Sequence, residues 1–145
     1  MSATTTPQRE PMAVVARLLD ATNTHDLAAL TSCFATDYVN TSPAHPSRGF
    51  TGREQVNANW SQLFASIPDL QARITNSAVS GSVVWSEWTM TGTRADGSAH
   101  EMAGVILFTV RDGEIAHANF YLEPVERQSG TVADNIRRQA SGATS

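Results

Sequence analysis

Histidines and one tyrosine are the first candidates for acid/base chemistry in this sequence. An imidazole titrates near neutral pH, so a histidine inside a pocket can take up and release a proton. The histidines are His25, His45, His100 and His117. Their positions show no paired metal-ligand spacing and Cys33 is the single cysteine, so we expect no metal site. No glycine-rich phosphate loop follows a predicted strand, so we expect no cofactor.

Four polar side chains are candidates for a site. Tyr38 either donates a hydrogen bond to a carbonyl group or a water, or is a satisfied structural tyrosine. His100 has the parity of the predicted inner face and is either an acid/base group or exposed at the sheet edge. His45 lies in a proline-rich loop and either hangs over a pocket mouth or is solvated. We predict Tyr38 and His100 as catalytic residues, and Asn40 and His45 as substrate-binding residues.

The groups are positioned by residues 83–123, which are predicted to form three antiparallel strands joined by two hairpins. Asp112-Gly113 tolerates the positive φ angles of a two-residue turn, and Asp96-Gly97 marks the other turn. Successive strand residues point to opposite faces, and the even-numbered positions are the more apolar, so we predict that they are buried. The middle strand is apolar on both faces, which predicts a central strand whose outer face is covered by a partner subunit.

Apolar side chains on the predicted inner face and the third helix form a wall that suits an apolar ligand. The members predicted to bind substrate are Trp60, Phe64, Trp88, Met90, Met102 and Phe120. A flat or terpenoid ligand would be held by the area that it removes from water, at ~25 cal/mol per Å². The alternative is that these side chains simply fill the core. Gly104 on the same face favours a cavity, because a glycine within a strand often marks a bend or a close approach.

A second polar set has outward parity and is assigned to a dimer interface or its rim. Its members are Glu87, Glu101, His117, Asn119 and Tyr121. A bulge that shifted the register by one residue would turn them inward and make them the catalytic set instead.

Three helices are predicted before the last strands. Pro11 occupies the first turn of the first helix, and Asp26 caps the second, whose apolar stripe includes Phe34. Thr51 and Glu54 have the spacing of a capping box, which predicts that the third helix begins there.

The predicted boundaries give one domain. Residues 1–9 are polar and expected to be disordered, residues 10–125 form the domain, and residues 126–145 form a tail with a short helix over 132–139. A strand is predicted over 70–79. A chain of 145 residues that is 41% hydrophobic suits a single buried core.

Charge and hydropathy exclude two classes of partner. A net charge of -4 gives no electrostatic footprint for nucleic acid or an anionic membrane. No stretch approaches the ~18 apolar residues of a membrane span, and the first residues do not resemble a signal peptide, so we expect a cytoplasmic protein.

The order of elements and several short runs resemble the nuclear transport factor 2-like superfamily, and more narrowly its SnoaL-like (polyketide cyclase-like) branch. The runs are NTHDLAAL at 23–30, YVN at 38–40, EWTMTGT at 87–93 and VRDGEI at 110–115. The resemblance implies an α+β cone in which three N-terminal helices pack on a curved, mainly antiparallel sheet around a pocket. It also implies a homodimer through the outer face of the sheet.

The superfamily includes isomerases, dehydratases, cyclases, epoxide hydrolases and non-catalytic binding domains, so the fold alone gives no activity. Tyr38 and Asn40 match the water-holding pair of the limonene-epoxide-hydrolase-like members. Those enzymes also need acids and an arginine. This sequence has Trp88, Met90 and Phe120 at the corresponding positions. Epoxide hydrolysis is therefore not expected. Ser42 stands where a ketosteroid isomerase has its general-base aspartate.

We therefore expect a domain that binds a hydrophobic small molecule in an apolar pocket. It is either a cofactor-free isomerase, cyclase or dehydratase of a polyketide, steroid or terpenoid-like substrate, or a non-catalytic ligand-binding or protein-interaction domain. The lack of pocket carboxylates adds weight to the second alternative.

Overall fold

The computed structural model describes residues 9–127 and 129–142, which form an α+β domain. In this part of the chain the helices are α1 (Pro11–Asn23), α2 (Leu27–Ser32), α3 (Arg53–Ser66) and α4 (Val132–Ala140). The strands are β1 (Phe34–Thr41), β2 (Phe50–Thr51), β3 (Gln71–Ser80), β4 (Val83–Thr93), β5 (Ala99–Arg111) and β6 (Glu114–Pro124). The predicted disordered N-terminus lies outside the described residues except for Arg9, as do the last three residues of the predicted tail.

One curved sheet holds the described strands in the order β2-β1-β6-β5-β4-β3. The pairs are antiparallel except for β1 and β6, which run parallel, so the sheet is mixed. The prediction of an α+β domain with a mainly antiparallel sheet is confirmed. The helices do not precede the sheet as a block, because β1 and β2 lie between α2 and α3 in the chain.

The predicted three-stranded meander is confirmed, with β5 between β4 and β6. Asp112 and Gly113 have φ angles of 54° and 77°, and the pair joins two strands whose flanking residues, Arg111 and Glu114, face each other. Both central residues therefore have the positive φ that a two-residue hairpin of this twist requires.

The alternation along β4 is as predicted. Val84, Ser86, Trp88 and Met90 are 0%, 1%, 1% and 7% exposed, whereas Trp85 is 50% exposed. Even positions therefore face the helices and odd positions face outward, so the alternative register did not occur in β4 or in its pairing with β5.

The turn after α1 is attached to the first residues of β3. The side-chain amide of Asn23 accepts a hydrogen bond from the Ala72 amide at 2.7 Å and donates one to the Ala72 carbonyl at 3.0 Å. Asp26 caps α2 as predicted, since its carboxylate accepts from the Ala29 amide at 3.0 Å. Phe34 belongs to β1 and not to α2, which ends at Ser32.

The predicted capping box of α3 is wrong. Thr51 pairs with Val39 as part of β2, and the residue that caps α3 is Gly52, with φ of 104° and no side-chain hydrogen bond. A backbone turn with positive φ, which favours glycine, therefore sets the start of this helix, and the Thr51 and Glu54 side chains do not.

The other end of α3 is attached to the end of β4. The Asp69 carboxylate accepts hydrogen bonds from the amide and the hydroxyl of Thr93, both at 2.8 Å. A Cβ atom on Gly92 would lie 2.3 Å from Cγ2 of Ile67, so the absence of a side chain at Gly92 lets Ile67 pack on the sheet.

Gly104 marks a close backbone approach. Its φ is 151°, and a Cβ atom there would lie 2.0 Å from the carbonyl oxygen of Tyr121 on β6. Gly104 is therefore explained by the close contact of β5 and β6, since a glycine within a strand marks either a bend or a close approach. It gives no independent support for a cavity.

The predicted C-terminal helix is confirmed as α4, which begins with a capping box between Thr131 and Asp134. None of its described residues is buried, and Val132 and Ile136 are 78% and 56% exposed. Across the described residues, no helix combines the length and the apolar character needed to cross a membrane.

We expect Gly104→Ala to reduce the free energy of unfolding by roughly 3 kcal/mol, because the new methyl group would overlap a backbone atom that cannot rotate away. Gly97→Ala is the matched control, since Gly97 also has a positive φ (86°) but has nothing within 4 Å of its Cβ position. Its cost should be about 1 kcal/mol, from backbone strain alone. Urea unfolding at equal protein concentration measures both, and equal losses would contradict the described contact between β5 and β6.

Candidate functional site

One part of the inner face is filled core. Trp88 is 1% exposed, and its indole N–H donates to the Ser86 hydroxyl at 2.7 Å. That hydroxyl donates in turn to the Ile106 carbonyl, also at 2.7 Å. This chain satisfies the polar atoms of both buried side chains. The Trp88 ring also contacts Phe108, with 6.1 Å between ring centroids. Trp88, predicted as substrate-binding, therefore lies in packed core.

A second part of the inner face is only partly covered. It consists of side chains that pack against the core but keep some exposure, from α3 on one side and from β5 and β6 on the other. They are Trp60, Leu63, Phe64, Met102, Phe120 and Leu122. We call this set the apolar strip. Four of its members were predicted to bind substrate, and Met90, also predicted, is buried beside it at 7% exposure.

The apolar strip leads to an open cleft of about 810 Å³ beside the C-terminal end of α3. The β4–β5 hairpin and the last residue of β6 complete the lining. The lining residues are Leu63, Ala65, Ser66, Ile67, Pro68, Thr93, Arg94, Ala95, His100, Met102 and Pro124. His100 and Met102 are the two predicted site residues that the structure brings together here.

Tyr38 is fixed in the core away from this cleft. It is 1% exposed, its hydroxyl donates to the Asn40 side-chain oxygen at 2.7 Å, and its ring meets Phe34 edge to face at 4.8 Å. Burial raises the pKa of Tyr38 far above its ordinary value, so the hydroxyl stays protonated. Its single proton is already donated to Asn40, so the two predicted residues form a buried pair.

Tyr38 and His100 lie near opposite ends of the sheet. Val39, next to Tyr38, pairs with His117 on β6, and His117 pairs with Thr109 on β5. His100 is nine residues (109 − 100) from Thr109 along β5, which is about 30 Å of strand at ~3.3 Å per residue. The two predicted catalytic residues therefore do not form one catalytic set.

His100 is partly buried at the edge of the cleft and faces Gly92 on β4. Burial, and secondarily the charge of Arg94, lower the pKa of His100 below its ordinary value. The imidazole is therefore neutral at pH 7, with one nitrogen able to accept a proton or a hydrogen bond.

His45 contacts the outer side of β6. Its Nε2 lies 2.6 Å from a carboxylate oxygen of Glu123, and the Arg48 guanidinium lies 3.9 Å from the other oxygen. Both members of the closer pair keep about two-fifths of their side-chain surface exposed (39% and 41%). The interaction attaches the loop after β1 to an outward-facing residue, and His45 is not among the residues that line the cleft.

Two residues of the site were not predicted. Arg94 lines the cleft from the hairpin turn, and its even number gives it the parity of His100, which is the signal that could have identified it.

His25 supports the strip member Phe64, since their rings stack with centroids 4.4 Å apart and 12° between planes. Its Nε2–H donates to the Leu70 carbonyl at 2.8 Å. His25 has a φ of 55°, and no periodic pattern identifies such a turn residue.

Within residues 9–127 and 129–142, no three His, Cys, Asp or Glu side chains form a group that could hold a metal ion. The single thiol, Cys33, is buried, and burial raises its pKa, so it is a poor nucleophile there.

Three solved structures with the same fold illustrate the range of proteins that this chain resembles. A Catenulispora acidiphila DSM 44928 protein with a ketosteroid isomerase-like fold, in complex with trimethylamine, has a TM-score of 0.66 at 24% identity, covering 81% of this chain and 87% of that one. A Jannaschia sp. CCS1 protein that carries the name SnoaL-like polyketide cyclase has a TM-score of 0.67 at 20% identity, covering 84% and 92%. A Mycobacterium tuberculosis protein in complex with estradiol-17β-hemisuccinate has a TM-score of 0.66 at 19% identity, covering 77% and 92%. Identities this low show a shared fold and nothing more.

A search of curated proteins gives no match. The family model described as the SnoaL-like domain matches residues 15–118, which run from α1 to the middle of β6. This match spans most of the chain and includes α3 and β5, which carry four of the six residues of the apolar strip. The chain therefore belongs to the SnoaL-like domain family.

Proposed function

We propose that this protein binds a hydrophobic small molecule between α3 and the inner face of the sheet, along the apolar strip and into the cleft. The observation that carries the proposal is the incomplete cover of the strip: Trp60, Leu63 and Phe64 pack against the hydrophobic core but stay partly exposed. Leu63 also lines the cleft of about 810 Å³, whose lining is mainly apolar. Large apolar side chains left open at a concave surface are typical of a ligand site.

The expected energy of binding comes mainly from apolar area. A ligand that removes about 200 Å² of apolar surface from water contributes roughly 5 kcal/mol at ~25 cal/mol per Å², part of which offsets the lost translational freedom. Two of the structural neighbours were solved with small molecules, one of them a steroid derivative. This supports a small-molecule ligand but does not identify it.

Binding without catalysis is the alternative that the site favours. None of the described residues that line the cleft is a carboxylate, and Tyr38 lies far from His100. Trp88 and Met90 are buried apolar residues at positions where an epoxide hydrolase needs polar groups, so we do not propose epoxide hydrolysis.

A second candidate function is cofactor-free isomerisation, cyclisation or dehydration with His100 as the single proton-transfer group. The observation in its favour is the lowered pKa of His100 in the cleft, because a neutral imidazole is ready to accept a proton at pH 7. Tyr38 has no direct part in this reaction, because its proton is held by Asn40.

We also propose a homodimer through the outer face of the sheet. Trp85 and Tyr121 are 50% and 43% exposed there, and Val105 and Leu107 on β5 lie between them, partly buried. Beside this apolar patch, the Thr41 hydroxyl contacts the side chains of His117 and Asn119, which supplies polar groups for a rim. Aromatic and aliphatic groups at the centre with polar groups at the rim are typical of protein interfaces.

Tryptophan fluorescence tests ligand binding. Titration with a steroid enone, a terpene epoxide and a polycyclic polyketide should give a saturable change with at least one of them, because Trp60 lies in the apolar strip. Trp85→Phe is the matched control and should keep the change, whereas Trp60→Phe should remove most of it. A change that survives Trp60→Phe and disappears in Trp85→Phe would place the ligand on the outer face and contradict the proposal.

Turnover of any bound member of the panel separates the enzyme from the binder. If His100 transfers the proton, His100→Ala should lower kcat by about a hundred-fold or more, while Tyr38→Phe should lower it far less. A purely binding domain shows no turnover before or after either change. A larger loss of kcat in Tyr38→Phe than in His100→Ala would contradict the assignment of His100.

Sedimentation velocity at micromolar concentration tests the homodimer. The unmodified protein should sediment as a dimer, and Trp85→Glu should shift it to monomer, because a buried charge without a partner is costly in an interface. Val132→Glu changes an equally apolar but more exposed residue on α4 and should leave the dimer intact. A monomeric unmodified protein would refute the interface.

A further inference from the structure

Two basic side chains stand at the edge of an otherwise mainly apolar cleft. Arg94 and His100 both line it, and the other lining residues are apolar apart from Ser66 and Thr93. A cleft that bound only uncharged hydrocarbon would not need a cationic edge. The positions of these two groups therefore carry information about the ligand.

Arg94 is oriented by its own hairpin and forms no close ion pair there, although its charge contributes, after hydrogen bonds from Ser98, to the lowered pKa of Asp96. The Nη1 of Arg94 donates to the Ser98 hydroxyl at 3.2 Å and to the Ala99 carbonyl at 2.5 Å, which are both uncharged. Among the described residues, no carboxylate lies within ion-pair distance of Arg94. The guanidinium is thus held in place with N–H donors still available.

The carboxylates near this edge are engaged elsewhere. The Asp96 carboxylate accepts hydrogen bonds from the amide and hydroxyl of Ser98. The Asp69 carboxylate accepts from the amide and hydroxyl of Thr93. Both groups have pKa values below the ordinary range, chiefly because of these hydrogen bonds, so both are anions that already have donors. Neither forms an ion pair with Arg94.

We propose that the cleft selects an amphipathic acid: an apolar skeleton that carries one anionic oxygen group, bound by Arg94 with help from His100. The proposal rests on the proposed binding of a hydrophobic molecule and adds the chemistry of its polar end. The planar guanidinium fork matches the geometry of an oxyanion, and a partly desolvated cleft strengthens the attraction. The apolar strip would then hold the skeleton.

The pH dependence follows from the groups that face His100. Without ligand, burial and the charge of Arg94 keep the pKa of His100 low, and neither Asp96 nor Asp69 is among the causes of its shift. A bound anion favours the protonated imidazole and raises the pKa of His100. Affinity for an anion should therefore increase as the pH falls through the raised pKa of His100 in the complex and level off below its pKa in the free protein, and this increase should be absent in His100→Gln.

A matched pair of fluorescent probes tests the proposal on the full-length protein. The anion 1-anilinonaphthalene-8-sulfonate and the uncharged N-phenyl-1-naphthylamine share one apolar skeleton and differ in the sulfonate. Arg94→Gln should weaken the anion roughly five-fold more than the uncharged probe, in line with the loss of one partly exposed charge contact. Arg94→Lys keeps the charge and should retain most of the preference. Circular dichroism checks that each variant is folded.

Arg73→Gln is the control for a general loss of positive charge, because Arg73 is exposed on β3 and does not line the cleft. Equal effects of Arg94→Gln and Arg73→Gln on the anion would overturn the amphipathic-acid proposal while leaving apolar binding intact. Binding of neither probe to the unmodified protein, with no response of Trp60, would overturn both. An anion preference that disappears only in Arg94→Gln, and that weakens with added salt, is the expected result.

Discussion

The uninterrupted pairing of β4 with β5 is the constraint on which the rest of the structure depends. It runs from Val83 opposite Thr109 to Thr93 opposite Ala99 without a bulge. Because side chains alternate with a period of two, a slip of one residue would place Trp88 in solvent and Trp85 in the core. The buried chain from the Trp88 indole through Ser86 to the Ile106 carbonyl spans these two strands and exists only in the observed register. The inner face, the strip and the cleft all follow from it.

The helices divide the inner face into a closed part and an open part. α1 packs on β3, β4 and β5, whereas α3 packs mainly on β1 and α2. Where the α3 region approaches β4, the contact is made by residues that directly follow the helix, with Ile67 on Gly92 and Asp69 bonded to Thr93. Fixing α3 at its end in this way leaves its middle turns only partly covered. A cleft and a stable core can therefore occupy the same face of the sheet. The part covered by α1 is closely packed, and the part beside α3 remains accessible.

Much of the fold could be predicted from the sequence, because its signals were local. Asp112-Gly113 indicated a turn with two positive φ angles, the alternation in β4 indicated the buried face, and Asp26 indicated a helix cap. The errors arose where tertiary structure overrode a local signal. Thr51 has the spacing of a capping residue but belongs to β2, and Phe34 continues a helical stripe but begins β1. The site was harder to predict because the distance between Tyr38 and His100 depends on strand register across β1, β6 and β5, which no hydrophobic pattern specifies.

The parallel pairing of β1 with β6 also has a consequence for how the chain is made. Asn40 is opposite Ala118, so β1, which carries the buried Tyr38–Asn40 pair, is separated from its parallel partner by almost eighty residues of sequence (118 − 40). The meander, by contrast, forms from sequential neighbours. On a ribosome, β1 therefore stays without this partner until β6 has emerged, and we expect the buried polar pair to become fully enclosed late in folding. Closure of the domain is thus coupled to the synthesis of its last strand, β6.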